Sequence, residues 1–286
     1  MQYKKGERVK HPTEGDWGLG EVLENSSGSN VHIFFVGAGE KIISLKYIEP
    51  IKVEGEEANH PVLNNLKISN TSKGIKYQSL PQSIQRFLEI FPEGFYSEKY
   101  ADEERDYKLK AYNLACELLG KKNLKKLLSE SNYVEICMRA LKVVNATNLI
   151  FPNEKMSLKD SLDTEDRKKL FSETLYQLLY GNADLEERFM QFARVLEEIG
   201  SAKWTMVSYF LFIVFPDKYM FMKPTVTQNA AEISAFEINY RPKLNWLTYK
   251  SVLTFSDYLK SELSELNPRD MIDVQSFMWC IAPGKH

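Results

Sequence analysis

The chain has 286 residues, 43% of them hydrophobic, which is ample to bury the core of one large domain or two. Its formal net charge is −2, so no overall basic excess marks it as a nucleic-acid binder. Three widely spaced cysteines (Cys116, Cys137, Cys280) exclude a disulfide framework as the natural reading and point to a reducing compartment. None of the four histidines (His11, His32, His60, His286) is paired at ligand spacing and no CxxC occurs, so neither a zinc site nor any other metal is expected. A phosphate loop of the Walker type is absent, and no cofactor is expected. No apolar run reaches the ~18 residues needed to span a bilayer. The opening MQYKKGERVK lacks the apolar centre of a signal peptide. A cytoplasmic protein with no membrane partner is expected.

Residues 1–52 read as all-β. Glu7-Arg8-Val9-Lys10 opens a strand that His11-Pro12 ends, and Trp17 to Val22 alternates as a second. The cluster Glu24 to Asn30 has the composition of a hairpin loop. Val31 to Val36 and Lys41 to Leu45 are β-branched or aromatic strands. Several short strands in so few residues predict a small barrel. Residues 53–80 are polar, rich in Asn, Ser and Gly, and read as a linker.

From Pro81 onward the spacing is helical, and residues 81–286 are expected to form an all-helical domain. Ile84, Phe87, Leu88 and Phe91 mark one helix, broken by Pro92-Glu93-Gly94. Tyr107, Leu109, Leu114 and Leu118 belong to the next, which ends at Gly120. Asp163 or Thr164 caps a helix with Phe171, Leu175, Leu178 and Leu179 inward, stopped by Gly181. Leu185, Phe189, Phe192, Leu196 and Ile199 step by four, three, four and three, with Gly200 where a C-terminal cap would stand. A nearly all-apolar helix, Thr205 to Phe215, leads through Pro-Asp-Lys-Tyr to Lys223-Pro224. Tyr249 to Leu263 and Pro268 to Trp279 supply the last helices. The expected fold class is mainly α with a small N-terminal β-barrel, an α+β chain of two domains.

Two resemblances rest on these residues. Gly6 to Pro12, Trp17 to Val22, Val31 to Phe35 and Gly37 to Lys41 resemble a small bacterial domain of unknown function, SH3-like or Tudor-like. That resemblance covers the first fifth of the chain and implies an accessory module that docks protein or nucleic acid. The order Leu196 to Gly200, Lys203-Trp204-Thr205, apolar helix, Lys223-Pro224 resembles the core of helix–hairpin–helix DNA glycosylases. There a glycine hairpin holds a DNA phosphate and a catalytic Asp follows a buried helix. The sequence departs from that pattern: Glu197 and Glu198 replace the hairpin's Pro and first Gly, and Lys223 stands near the Asp position.

The second resemblance implies a DNA-acting defence or repair enzyme that flips a modified base out of double-stranded DNA and excises it, a phage hypermodified cytosine being one such base. A lysine can attack C1′ as an amine, and a carboxylate can stabilise the charge or activate water. The catalytic candidates are Lys223, Asp217 and Glu232. Desolvation by Tyr219-Met220-Phe221-Met222 would favour the neutral amine of Lys223. Gly200, Lys203, Trp204, Tyr219 and Gln228 are candidates for contacting the nucleic acid. The alternatives are a non-catalytic reader of modified DNA and a protein-binding adaptor of the transcription or repair machinery.

From Arg105 to Lys142 nine Lys or Arg face four Asp or Glu. Arg105, Lys108, Lys121 and Lys122 in this stretch, with Arg269 near the C-terminus, are further candidates for tracking phosphates. Three polar–aromatic stretches stand out: Phe91 to Tyr96 with Glu104 to Lys108, Asn145 to Phe151 with Glu154-Lys155, and Pro268 to Trp279. With Lys223-Pro224 they are similar to a helical region of bacterial restriction and phage-defence proteins.

Overall fold

A computed structural model describes residues 2–68 and 76–283; residues 69–75 of the expected linker lie outside the described residues. The contacts divide the chain into two compact units. One comprises Met1–Ile90, Asn229–Ile238 and Ile281–His286, the other Phe91–Gln228 and Asn239–Cys280.

The first unit is built on a five-stranded antiparallel sheet. Its strands are β1 (Arg8–Lys10), β2 (Leu19–Val22), β3 (Asn30–Phe35), β4 (Gly39–Ser44) and β5 (Ile51–Val53), hydrogen-bonded in the order β4-β3-β2-β1-β5. No ladder joins β4 to β5 among the described residues. Alternation puts Val9, Val22, Val31, Ile33, Phe35 and Ile43 on one buried face, where Tyr3 joins them. Gly20 sits where the strand must approach a ring closely, since a Cβ there would stand 2.7 Å from Phe35. Trp17, expected in a strand, lies in a 3-10 turn and packs against His11 and Phe35.

The described part of 53–80 is anchored to this unit. After β5 come a 3-10 turn and the short α1 (Pro61–Asn64), and then Leu66 bridges to Phe236. The Tyr77 ring meets Phe34 edge-on and its hydroxyl donates to the Val36 carbonyl. Helix α2 (Leu80–Ile90) follows in the same unit.

The second unit is helical. It opens with α3 (Glu98–Tyr100), which runs into a widened π turn over Ala101–Arg105, where the Asp106 amide donates to the Ala101 carbonyl. Helices α4 (Asp106–Leu119), α5 (Lys121–Ser129), α6 (Tyr133–Asn145), α7 (Pro152–Ser161), α8 (Glu165–Tyr180) and α9 (Leu185–Glu198) follow. Then come α10 (Trp204–Val214), α11 (Pro224–Ile233), of which the residues from Asn229 on count with the first unit, α12 (Trp246–Glu262) and α13 (Met271–Ile281). Every residue of α10 is buried, as an apolar surface on all sides requires. Its few polar groups are satisfied: Tyr209 bonds Thr147 and the Val143 carbonyl, and Ser208 bonds the Trp204 carbonyl and the Met222 amide. The face that α4 buries is Lys108, Ala111, Ala115 and Leu119, while Tyr107, Leu109, Leu114 and Leu118 are half-buried.

Candidate functional site

Lys223 is the residue that starts α11. Its carbonyl accepts the first helical bond from Thr227, and Pro224 fills the position where a missing amide hydrogen costs nothing. Its ammonium lies 4.5 Å from the centre of the Phe151 ring and 5.3 Å from that of Trp279. Beside it is a cavity of about 110 Å³ lined by Glu103, Glu104, Tyr107, Asn148, Leu149, Lys223, Gln275 and Trp279. The three polar–aromatic stretches of the sequence and the Lys223-Pro224 turn thus meet at one place within the second unit.

Each wall has a local origin. Glu103 and Glu104, in the π turn at Ala101–Arg105, stand four and three residues before Tyr107 and line the cavity beside it. The turn after α6 supplies Asn148 at the rim and buried Leu149. Helix α13 supplies Gln275 and Trp279, one turn apart on one face. Gln275 is 4% exposed and its Oε1 is buried with no hydrogen-bond partner. Turning the amide over would exchange the unpaired acceptor for a donor, so the cavity wall has an unmet polar group in either orientation.

A buried ionic network holds these walls. Arg105 reaches Asp273 at 2.7 Å and grips Asp270 with both of its terminal nitrogens, at 2.9 and 2.7 Å. Tyr100 donates to Asp273 at 2.7 Å, and Arg269 donates to Asp273 and to the Phe95 carbonyl. Burial alone would raise the Asp273 carboxyl, but bonds from Arg269 and Tyr100 and the Arg105 charge hold it below the usual aspartate range. Lys108 is wholly buried, with its ammonium 2.8 Å from Ser276 Oγ and 3.1 Å from Glu104. Burial draws that ammonium below the ordinary lysine range, with Glu104 opposing the shift.

The other sequence candidates lie elsewhere or are engaged internally. Asp217 is exposed in the turn after α10, Glu232 belongs to the α11 segment of the first unit, and neither lines the cavity. Gln228 folds back on the Pro224 carbonyl. Gly200 has φ +81° and ends α9: its amide donates to Glu197, and the Ser201 amide to Leu196. Both amides of that turn are therefore used inside the chain, and exposed Lys203 is the turn's polar group facing solvent. Trp204 is buried, stacked on Phe189, and donates to the Arg241 carbonyl. Arg105, Lys108 and Arg269 serve the internal network, whereas Lys121 and Lys122 are exposed on α5. Tyr219 is half-buried against Phe215. Glu103, Asn148, Gln275 and Trp279 received no role from sequence reasoning, because no motif spacing links stretches brought together only by the fold.

The described cysteines are free thiols, and no group of three or more His, Cys, Asp or Glu side chains among the described residues could hold a metal ion. No helix among them is long and apolar enough to cross a membrane. No curated protein and no solved structure matches the chain. Residues 3–53, the strand-rich segment, match the model of a family described as "Protein of unknown function (DUF3553)".

Proposed function

We propose that the helical unit is a DNA-acting enzyme of glycosylase type, in which Lys223 is the amine nucleophile and the adjoining cavity receives an extruded base. The observation that carries this reading is the placement of Lys223 beside a small cavity that holds ring faces, two carboxylates and an unpaired amide group. Trp279 and Tyr107 would stack on a base, and Asn148 and Gln275 would take its polar edge. A cavity of about 110 Å³ is smaller than the ~150 Å³ that admits a benzene ring. A base would therefore enter only as Lys223 swings off Trp279.

In that movement the amine leaves the ring faces as the base takes them. Glu103 or Glu104 takes a proton from the ammonium, the neutral amine attacks C1′, the bond to the base breaks with its electron pair going to the base nitrogen, and the carboxyl passes its proton to that nitrogen. Incubation with unmodified and phage-modified DNA, followed by cleavage at abasic sites, tests the reading. Strand breaks on a modified substrate support it, and none on any substrate defeats it.

A second reading has its own observation. Neither Asp217 nor Glu232 lines the cavity, and Lys223 rests on aromatic faces, an arrangement that also suits a pocket that binds without turnover. A non-catalytic reader of modified DNA would give salt-sensitive binding and no product.

A further inference from the structure

We infer that a second site in the helical unit, distinct from the Lys223 cavity, clamps the phosphates of a DNA strand. A depression of about 310 Å³ forms where α5 begins, α8 ends and the chain turns after α10. Lys121, Arg188 and Lys218 line it together with Tyr180 and Tyr219, and no carboxylate does. Among the described residues none of these three cations has a carboxylate within salt-bridge distance, and nor do Lys122 and Lys125 on the adjoining surface of α5. The carboxylates of the adjoining turns, Asp217 after α10 and Asp184 after α8, and Glu187 beside Arg188 are exposed and lie outside the depression.

Arg188 is set in advance: its Nε donates to the Ala183 carbonyl and a terminal nitrogen to the Leu178 carbonyl. Gly181 lets it lie close, since a Cβ there would stand 3.0 Å from its Cδ. Tyr180 is fixed by its bond to the Leu119 carbonyl, and burial pushes its phenol up to about 12. A fixed guanidinium and two exposed lysines beside tyrosine rings match a strand that presents phosphates and bases in alternation. Lys121 and Tyr219 are sequence candidates for nucleic-acid contact; the fold joins them to Lys218 and Arg188.

The test is fluorescence anisotropy of the full chain with a labelled single-stranded DNA of about 20 nucleotides, between about 50 and 200 mM salt. Lys121→Ala with Lys218→Ala should weaken binding about tenfold and flatten the salt dependence by about 1.4 in log–log slope. Lys121→Arg with Lys218→Arg should retain affinity, and Lys159→Ala with Lys250→Ala, exposed elsewhere on the unit, should leave it unchanged. A strand with an uncharged methylphosphonate backbone should not bind. Equal affinity for wild type and the Lys121/Lys218 double alanine variant would overturn the inference. Equal loss in the Lys159/Lys250 control, or equal competition by an acidic peptide, would overturn it as well. The readout is binding alone, and repeating it with Lys223→Ala separates this site from the excision reading.

Discussion

The guanidinium of Arg105, carried by the π turn before α4, lies 2.7 Å from the carboxylate of Asp273 on α13. The π turn with the start of α4, and α13, carry most of the cavity beside Lys223: Glu103, Glu104 and Tyr107 on one side, Gln275 and Trp279 on the other. The ion pair is almost entirely withdrawn from water, and its remaining valences are taken by Asp270, Tyr100 and Arg269. Its role is to fix the distance between two walls that the sequence separates by more than a hundred and sixty residues.

Asp273→Asn should therefore destabilise the helical unit by about 3 kcal/mol at neutral pH, because it removes the buried charge that Arg105 shares with Arg269. The pH dependence has a definite sign. The folded carboxyl is held below the ordinary aspartate value of about 4, so the unfolded chain takes up its proton first as the pH falls. The stabilisation is complete above that value and is lost as the pH drops through the folded one. Urea unfolding between about pH 7 and pH 2 should show this acid limb in the wild type and a flatter one in Asp273→Asn. Parallel limbs would show that Asp273 does not set the acid limb.

Much of this arrangement was legible in the sequence at the level of elements. Alternation placed four strands to within a few residues, and apolar spacing with Thr164 and Gly200 as caps placed α8 and α9. Strand β5 buries none of its three residues, so no core face marks it, and Trp17 reads as a strand residue although it lies in a 3-10 segment. The widened turn at Ala101–Arg105 has no signal in local propensity, since its acidic residues suit an ordinary helix start equally well. Lys108 illustrates the limit most clearly. A lysine in a basic stretch is expected at the surface, yet here Glu104 and Ser276 on converging elements make its burial tolerable.

Gln275 offers a way to separate function from stability. Its Oε1 is buried without a partner, so replacing the amide by an apolar chain of similar length removes an unsatisfied group. Gln275→Met should leave unfolding free energy within about 1 kcal/mol of wild type, or raise it. Binding or turnover at the cavity should nevertheless fall. A variant that lost stability and kept full activity would assign Gln275 to the core instead of the site.

Gly200 carries the opposite expectation. Its φ of +81° is strained for any residue with a Cβ, although the space around it is open. Gly200→Ala should cost about 1–2 kcal/mol in stability. Affinity for DNA should be unchanged, since the Gly200 and Ser201 amides already bond within the chain. A loss of affinity out of proportion to the loss of stability would restore this turn as a phosphate contact.

The most direct test concerns the amine of Lys223. An amine that attacks C1′ and opens the sugar passes through a Schiff base, which borohydride reduces to a permanent protein–DNA bond. The full chain should be incubated with DNA carrying hydroxymethylated or glucosylated cytosine in the presence of borohydride, and the products separated under denaturing conditions. Wild type should form a covalent complex that Lys223→Ala does not, with the linkage mapped to Lys223. A complex of equal yield in Lys223→Ala, or abasic product without any trapped complex, would contradict Lys223 as the nucleophile.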